Sequence, residues 1–452
     1  MPPIATTPTA DQRATRILLW TLLVIYILNF LDRQIVSILA EPIKRDLHLS
    51  DTQIGLMTGL AFALFYTVLG IPIARYADNP RTNRVTLISA SLAIWSVMTM
   101  ACGQAHNFGQ ILLARIGVGV GEAGCTPAAH SLISDAVPVQ RRPSAIAFYG
   151  LGIPIGGLLG MIIGGQLSDA FGWRVAFMAV GVPGVIMAVG LRWIIRDPRM
   201  AALLPGMAAG EPADAGATAG AASAEAAGAA VERLSARAAL AEIFRSRAFV
   251  LLAAAASVTA FLSYGKGVWV VILFIRSYGL SEGETGLLLG IVLGLAGVVG
   301  TWLGGFLADR YGRVNRRHVL TGPALGMAVA APILFMGYWV TDWRLSIALL
   351  FVPTLLNAAY YGPTYATVQG LVRPQARAMA SAMMLFAQNI IGLGLGPLFF
   401  GILSDALRPV AGADSVRWVL YGAAWLGIIP ALLFWRASLR LNREMTEHGT
   451  AR

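Results

Sequence analysis

The chain has 452 residues, of which 57% are hydrophobic and only 13% are charged. Soluble domains carry about 25% charged residues, so this composition points away from a soluble protein. The net charge of +11 does not indicate nucleic-acid binding, because the basic residues flank long apolar runs, as is typical of membrane helices. These runs are continuous rather than alternating, which argues against a transmembrane β-barrel. We therefore predict an all-α membrane protein that crosses the bilayer many times.

Twelve apolar runs are long enough to cross the ~30 Å hydrocarbon core as helices. Their approximate limits are 17–40, 52–76, 85–105, 108–134, 143–169, 173–195, 248–276, 285–309, 317–340, 344–370, 377–404 and 415–437. Residues 1–12 precede them and are expected to be disordered. The longest polar interval, 197–247, combines an Ala/Gly-rich stretch at 205–228 with an amphipathic helix at 231–247, which should lie on the membrane surface.

The first six runs and the last six share sequence features. The second run ends in ARYAD at Asp78, and the eighth ends in LADRYGR around Asp309, 231 residues later. The fifth and eleventh runs both end in LSDA, at Asp169 and Asp405, which are 236 residues apart. Parallel repeats of this kind are typical of transporters whose substrate binds near the midplane, between the halves.

We predict two six-helix halves, 1–196 and 248–452, joined by a cytoplasmic linker at 197–247, in a chain that acts as a monomer among membrane lipids. Most basic residues lie in the segments on the same side of the membrane as the N-terminus. Basic residues favour the cytoplasmic side, so both termini are predicted to be cytoplasmic. Lys44 and Arg276 are among the few assigned to the outer loops. No cleavable signal is visible, and the preference for arginine over lysine suggests a bacterial inner-membrane protein.

Five charged residues lie deep within the runs, away from their ends, where a charge costs roughly 2.5–3.5 kcal/mol on the insertion scale. They are Asp32 and Arg33 in the first run, Arg115 and Glu122 in the fourth, and Lys266 in the seventh. Asp32 and Arg115 are predicted at similar depths, about 10–11 Å below the outer ends of their helices. Glu122 follows Arg115 by two turns, which places both on one helix face. The alternative for the first pair is snorkelling to the interface.

We predict that Asp32, Arg33, Arg115 and Glu122 form a carboxylate–guanidinium network between the first and fourth helices. If an arginine moves away in one conformation, Asp32 or Glu122 can take up a proton, which couples protonation to helix movement. Protons would then be the coupling ion, with no cofactor and no metal. The alternative is a static ion network that holds the first half together.

Lys266 occupies the position in the second half that Asp32 occupies in the first, 234 residues later. We expect it to face the substrate cavity and to hold an anionic group; snorkelling is the alternative. Other residues expected at cavity depth could equally make ordinary helix–helix hydrogen bonds. They are Tyr264, Trp269, Asn357, Tyr360, Tyr361 and Asn389.

Charged residues at the cytoplasmic ends of the second and eighth runs are predicted to form gates, since an acid there can pair with loop arginines and a neighbouring helix N-terminus. They are Asp78, Arg81, Arg84, Asp309, Arg310 and Arg313.

Small residues recur in the fifth run, where they let helix backbones approach closely. They are Gly152, Pro154, Gly156 and Gly160. They indicate either plain helix packing or a flexible contact between the halves. Cys102 and Cys125 lie in apolar runs without the spacing of a zinc site. No Walker loop, nucleophile elbow or zinc-protease motif occurs, so we expect neither an ATP-driven pump nor an enzyme.

Several of these motifs resemble a known family. Gly305–Arg313, with a looser copy at Ala74–Arg84, resembles the loop signature of the major facilitator superfamily, and Gly152–Gly156 resembles its fifth-helix signature. Asn29–Arg33, Arg115–Ala123 and Phe148–Pro154 are similar to the Spinster-like branch.

The resemblance implies a rocker-switch transporter of lysolipids or sphingolipids, often treated as proton-linked. It also implies functional roles for the first-helix and fourth-helix charges, here Asp32, Arg33, Arg115 and Glu122. Asn79–Arg84 departs from the loop signature, which implies a weaker gate in the first half. Lys266 matches no position of the family's motifs.

We therefore expect a proton-coupled transporter of an amphipathic anion such as a lysolipid or sphingolipid, with no nucleic-acid partner. The alternative is a proton symporter of a small organic anion such as a carboxylate. A non-transporting receptor or scaffold is a third possibility, and it predicts that neutralising Asp32 and Glu122 leaves function intact.

Overall fold

The computed structural model describes residues 10–202 and 236–447, and within these ranges the chain is helical, without strands. Ten helices there are long and apolar enough to cross a membrane. One of them, Met379–Leu441, turns back at Gly412 and contributes two crossings. A further crossing, from Phe108 to Ala136, is interrupted after Glu122. The predicted twelve-helix fold is therefore confirmed.

We label the twelve crossings α1 to α12. They are α1 (Ala10–Leu47), α2 (Asp51–Asp78), α3 (Arg84–Gly103), α4 (Phe108–Glu122 and Cys125–Ala136), α5 (Arg142–Gly150 and Gly152–Phe171), α6 (Trp173–Ile194), α7 (Arg247–Arg276), α8 (Glu282–Gly312), α9 (His318–Trp339), α10 (Trp343–Ala358 and Tyr361–Gly370), α11 (Arg377–Ala387, Gln388–Leu395 and Gly396–Ala411) and α12 (Ser415–Leu426 and Ile428–Glu447).

Polar cap residues define where many of these helices begin. The side chain at the cap accepts a hydrogen bond from the backbone N–H three residues later, which satisfies a donor that the helix itself leaves free. Ser50 and Ser281 form complete capping boxes at the starts of α2 and α8. Asn83, Asn107 and Ser246 cap α3, α4 and α7 in the same way.

The helices pack as two halves, α1–α6 and α7–α12. We call the end at which α1 starts and α12 finishes the terminal end, and the opposite end the far end. One apolar cluster joins both halves and includes Leu39 and Ile43 of α1 with Leu273 and Phe274 of α7. Two other clusters lie in the first and the second half respectively, and Leu393 of α11 packs against the first of them. The buried core that the halves share therefore lies toward the far end, with a further contact between α2 and α11.

Glycines on α8 show how the halves separate. A Cβ added at Gly286 would collide with the carbonyl of Met161 on α5. A Cβ at Gly290 would lie 3.2 Å from Met161 Cβ, and one at Gly294 would lie 4.0 Å from Leu158. At Gly297 nothing lies within 4 Å. The backbones of α5 and α8 thus touch at the far end and diverge toward the terminal end.

The predicted small residues of α5 pack inside the first half. A Cβ at Gly152, Gly156 or Gly160 would meet α1, so these glycines allow α5 and α1 to approach. Pro154 lies in the first turn of the second α5 segment, where a missing N–H is tolerated. The α5 glycine that meets the other half is instead Gly165, where a Cβ would collide with the carbonyl of Glu282.

Two sequence boundaries need correction. Helix α1 begins at Ala10, seven residues before the predicted run, so residues 10–12 are helical. The predicted surface helix appears as Ala236–Arg245, with Ile243 buried against the second half and Phe244 exposed. The Ala/Gly-rich stretch at 205–228 and residues 231–235 lie outside the described residues.

Candidate functional site

The predicted charges on α1 and α4 meet inside the first half. Arg33 Nε donates to Glu122 Oε2 at 2.6 Å. The Glu122 side chain is fully buried, whereas 18% of the Arg33 side chain remains accessible. Glu122 is the last residue of the first α4 segment, so Arg33 pairs at the point where α4 is interrupted. Movement of either helix would therefore act directly on this ion pair.

Asp32 and Arg115 lie beside this pair and are also buried. Asp32 is within electrostatic reach of both Glu122 and Arg115, and it lies against Thr99 and Trp95 of α3. Since Asp32 and Arg33 are about 100° apart on α1, the two residues face different partners.

Several atoms of this network lack hydrogen-bond partners among the described residues. They are Asp32 Oδ1, Glu122 Oε1, and Arg115 Nε and Nη1. Buried polar groups are normally paired, so free bonding capacity in a charged cluster marks a place for a proton, a water or a ligand group.

Aromatic rings surround the Arg33 guanidinium. Its carbon lies 4.5 Å from the ring centre of Tyr66, 4.9 Å from that of Phe62 and 5.0 Å from that of Phe30. Arg115 lies 5.4 Å from the same Phe62 ring. Aromatic faces attract cations, so Phe62 helps to hold two guanidinium groups near each other.

The second half contributes tyrosines opposite this cluster. Tyr264 of α7 is within electrostatic reach of Arg33 and Tyr66, and Tyr361 of α10 is within reach of Tyr26. Yet 42% of Tyr264 and 46% of Tyr361 are exposed. Side chains that face the other half and remain accessible line an open cleft between the halves.

Lys266 lies in a separate small pocket inside the second half. This pocket of about 30 Å³ is bounded by α7, α9, α10 and α12, and its polar lining comprises Lys266, Ser263, Thr259 and Asn357. Its volume holds a water or two. No carboxylate among the described residues pairs with Lys266. The structure thus brings together Lys266 and Asn357, as the sequence predicted, but away from Arg33.

Three predicted cavity residues lie elsewhere. Trp269 is fully buried and donates from Nε1 to the Pro397 carbonyl at 2.9 Å, so it packs α7 on α11 and lines no cavity. Tyr360 is buried with its ring 5.8 Å from that of Phe434. Asn389 lies in the π-helical segment of α11 and does not line the Lys266 pocket.

The far end is held by an ion network that the sequence did not reveal. Arg276 of α7 donates to Glu41 of α1 at 2.8 Å and to both carboxylate oxygens of Asp51 of α2 at 2.9 and 3.0 Å. Asp51 also pairs with Lys44 and accepts from Ser404 of α11 at 2.6 Å. These contacts join the two halves.

Two aspartates at equivalent positions of the repeat, Asp169 and Asp405, add further contacts between the halves at the far end. Asp405, at the end of α11, accepts from the backbone N–H groups of Asp51 and Thr52 at 3.0 and 2.7 Å. Asp169, at the end of α5, accepts from the N–H of Gly283 at 3.0 Å. Each aspartate thus binds the positive N-terminus of a helix in the other half. The LSDA repeat was visible in sequence, but its partners were not.

The predicted gate residues at the terminal end are mostly exposed. Asp78, Arg81, Asp309, Arg310 and Arg313 make no ion pair with the described residues. Arg84 differs from the prediction. It is fully buried and donates to Asp197, just after α6, at 2.5 and 3.0 Å and to Asp135 of α4 at 2.6 Å. It is therefore unavailable for a gate in this conformation.

Two pseudo-equivalent helical halves, closed at one end and open at the other over a buried charge cluster, define a membrane transporter. The family model of the Major Facilitator Superfamily matches residues 22–336 and 267–450. The chain belongs to this superfamily, and its relatives place it among the Spinster-like proteins; it is not an enzyme.

Individual relatives agree with this assignment. An MFS-type efflux pump of Mycolicibacterium smegmatis is 32% identical over 93% of this chain and 92% of its own length. Protein spinster homolog 1 of Homo sapiens is 26% identical over 85% of this chain and 72% of its own.

A solved structure is also similar. The crystal structure of a bacterial homologue of the human lysosomal transporter Spinster, in an inward-facing and unoccupied conformation, superposes with a TM-score of 0.83. It is 29% identical and covers 97% of this chain and 99% of its own.

Proposed function

We propose that the chain is a proton-coupled, alternating-access transporter of an amphipathic anion such as a lysolipid or sphingolipid. The observation that carries this proposal is the Arg33–Glu122 ion pair, buried on one side and open to an aromatic-lined cleft on the other. A substrate anion that enters the cleft meets a partly accessible guanidinium, and competes with Glu122 for it. When Arg33 turns to the substrate, Glu122 loses its counter-charge and gains affinity for a proton.

The aromatic lining supports an amphipathic rather than a fully polar substrate. Tyr26, Tyr66, Tyr264 and Tyr361 present large apolar faces with one polar group each, which suits a chain of carbon atoms attached to a charged head. A cleft open to the terminal end admits such a molecule there, while the Arg276 network closes the far end.

The proposed orientation follows from the distribution of basic residues. With both termini in the cytoplasm of a bacterium, the terminal end faces inward and the conformation is inward-open. The similarity to a structure described as inward-facing supports this orientation. Asp78 and Asp309 would then take part in closure of the cytoplasmic side only in the opposite, outward-open state.

Transport by reconstituted protein tests the proposal. Proteoliposomes would be loaded with a pH-sensitive dye and supplied with a fluorescent lysophosphatidylglycerol, with or without an imposed pH gradient. We expect uptake that rises with the gradient and proton movement that requires the lipid. Uptake that ignores the gradient would disprove proton coupling, and uptake of small carboxylates alone would disprove the amphipathic substrate.

The small polar pocket at Lys266 favours a second candidate, a proton-coupled symporter of a small organic anion. Its Lys266, Ser263 and Asn357 side chains suit a carboxylate group better than an acyl chain, and its volume of about 30 Å³ admits only that group and not the rest of the substrate. The same proteoliposomes distinguish the two candidates, because small carboxylates compete with lysolipid uptake only if both use one site.

A further inference from the structure

A large basic pocket lies at the terminal end of the second half, remote from the transport cleft. It has a volume of about 1210 Å³ and lies between the surface helix Ala236–Arg245, the start of α7 and the end of α12. This volume is larger than the ~300–1,000 Å³ of ordinary small-molecule sites. Five arginines line it: Arg245, Arg247, Arg373, Arg436 and Arg440.

The pocket carries an excess of positive charge. Its two acidic residues have partners already: Glu444 accepts from Ser246 Oγ at 2.7 Å, and Glu242 accepts from the backbone N–H of Arg373 at 3.1 Å. In contrast, Arg245, Arg247, Arg436 and Arg440 make no ion pair with any described residue.

Two of these arginines are neighbours on one helix face. Arg436 and Arg440 are one turn apart on α12, a spacing at which like charges repel. Both are exposed. An anion bound between the two arginines would offset this repulsion. On a surface of mixed charge, neighbouring carboxylates would do so without a ligand.

Exposed apolar side chains adjoin the same arginines. On α12, 57% of Leu432, 42% of Trp435 and 50% of Leu439 are accessible, and Leu439 lines the pocket itself. These residues belong to the last turns of a membrane-crossing helix. The arginines therefore lie at the depth of lipid headgroups, with an apolar surface leading from them toward the hydrocarbon core.

We propose that this pocket binds the headgroup of an anionic phospholipid, such as phosphatidylglycerol or cardiolipin. Arg436 and Arg440 bind the phosphate, Arg245 and Arg247 close over it, and an acyl chain lies along Trp435 and Leu439. Inorganic phosphate shares the anionic chemistry but lacks the chain. The apolar surface therefore favours the lipid. Because the surface helix supplies Arg245, bound lipid also ties this helix to the second half.

Thermal unfolding of the purified full-length chain in neutral detergent tests the proposal. Dioleoylphosphatidylglycerol, dioleoylphosphatidylcholine and inorganic phosphate would be titrated separately. We expect a saturable rise in Tm with phosphatidylglycerol only. The R436Q/R440Q variant should bind it about 25-fold more weakly, since each arginine near an anionic lipid contributes roughly fivefold. R141Q/R192Q removes two exposed arginines from the terminal end of the first half and should behave like the wild type.

The other outcomes overturn the proposal. An equal response of both double variants would mean non-specific attraction, and an equal response to inorganic phosphate would mean a free-anion site. No response of the wild type would mean that anionic lipid does not occupy the pocket. Native mass spectrometry provides a second readout, in which one retained phosphatidylglycerol should be lost in R436Q/R440Q. If that variant fails to fold, R245Q/R247Q removes two other arginines of the pocket.

Discussion

The Arg33 guanidinium lies 2.6 Å from the Glu122 carboxylate and 4.5 Å from the Tyr66 ring centre. One arginine thus holds three elements together: its own α1, the interruption of α4, and α2. Because part of Arg33 faces the cleft, the pair is the one place in the cluster where a substrate can exchange with a protein carboxylate. The same geometry explains why Glu122, whose partner Arg33 is partly accessible, is our leading candidate for the coupling proton rather than Asp32.

Glu122→Gln should abolish proton-coupled uptake. Glutamine keeps the shape and a hydrogen-bond acceptor but cannot take up a proton, and it leaves Arg33 without a counter-charge, a loss of about 3–5 kcal/mol for a buried pair. Initial uptake rates in proteoliposomes, measured over a series of external pH values, should fall and become independent of pH.

Glu284→Gln is the matched control for this substitution. Glu284 is exposed and completes the capping box of α8, in which glutamine accepts the same bond. Its pH profile should equal that of the wild type. A normal pH profile in Glu122→Gln would mean that the pair is only structural.

Arg276→Gln should open the far end. It leaves the buried Asp51 carboxylate without its main partner, which costs about 3–5 kcal/mol. A change of this size alters the ratio of two conformations about 100-fold or more. Spin labels would be placed on cysteines introduced at His106, in a far-end loop of the first half, and at Arg344, in the first turn of α10; both positions are exposed. The distance between them, measured by pulsed electron resonance, should be longer than in the wild type.

Arg45→Gln is the matched control for the far end. Arg45 and Arg276 both pair with Glu41. The Arg45 pair has a distance of 3.2 Å, and 58% of the Arg45 side chain is exposed. Exposed pairs contribute about 0–1 kcal/mol, so the label distance should stay unchanged. Equal distances in Arg276→Gln and the wild type would show that the apolar cluster alone closes this end.

The sequence predicted the crossings and the charged residues that they carry, because hydropathy and helical spacing are local properties. It could not predict which helices meet. Arg276 and Lys44 were assigned to outer loops, yet Arg276 enters a buried network because α7 ends beside α1 and α2. Trp269 shares its helix with Lys266, but α11 covers it.

The glycines of α5 illustrate the same limit. Their spacing indicated that one face of the helix carries small residues and allows another helix to approach closely. Packing within the half and contact between the halves remained open alternatives, since periodicity defines a face but not the helix that covers it. The structure places that face on α1. For Arg84, the charge was visible in the sequence, but its partners were not, because Asp135 lies at the end of α4 and Asp197 follows α6.

Gly286→Ala should disturb the contact between the halves, whereas Gly297→Ala should not. The new methyl group at position 286 would collide with the Met161 carbonyl, and overpacking of this kind costs about 1–3 kcal/mol. At position 297 the methyl group meets nothing within 4 Å, and alanine favours the helix by up to about 1 kcal/mol.

Thermal unfolding in detergent distinguishes the two glycine variants. Tm should fall for Gly286→Ala and stay equal or rise for Gly297→Ala. Equal Tm values would contradict the close approach of α5 and α8 at the far end.

Arg84→Gln should destabilise the first half, in contrast to Arg81→Gln. Arg84 is fully buried, and its removal leaves Asp197 buried without its main partner, which costs about 3–5 kcal/mol. Arg81 is exposed, and surface substitutions usually change stability by less than about 0.5 kcal/mol. Denaturation of the purified chain should show a clear loss for Arg84→Gln only. Similar stabilities would mean that Asp197 finds another partner.

Lys266→Met should distinguish the binding of the substrate's anionic group by this lysine from its effect on stability. Lys266 is half-buried and has no carboxylate partner among the described residues. An unpaired ammonium group is expensive in a membrane helix, so methionine should raise Tm. If Lys266 binds the substrate's anionic group, uptake of an anionic lysolipid should fall at least about tenfold, as for a lost charge-assisted hydrogen bond. Uptake of a zwitterionic analogue should change little.

Lys266→Arg keeps the charge and should retain most of the anion uptake. Equal losses for both lipids in Lys266→Met would assign the lysine to packing around Ser263 and Asn357 rather than to recognition of the substrate.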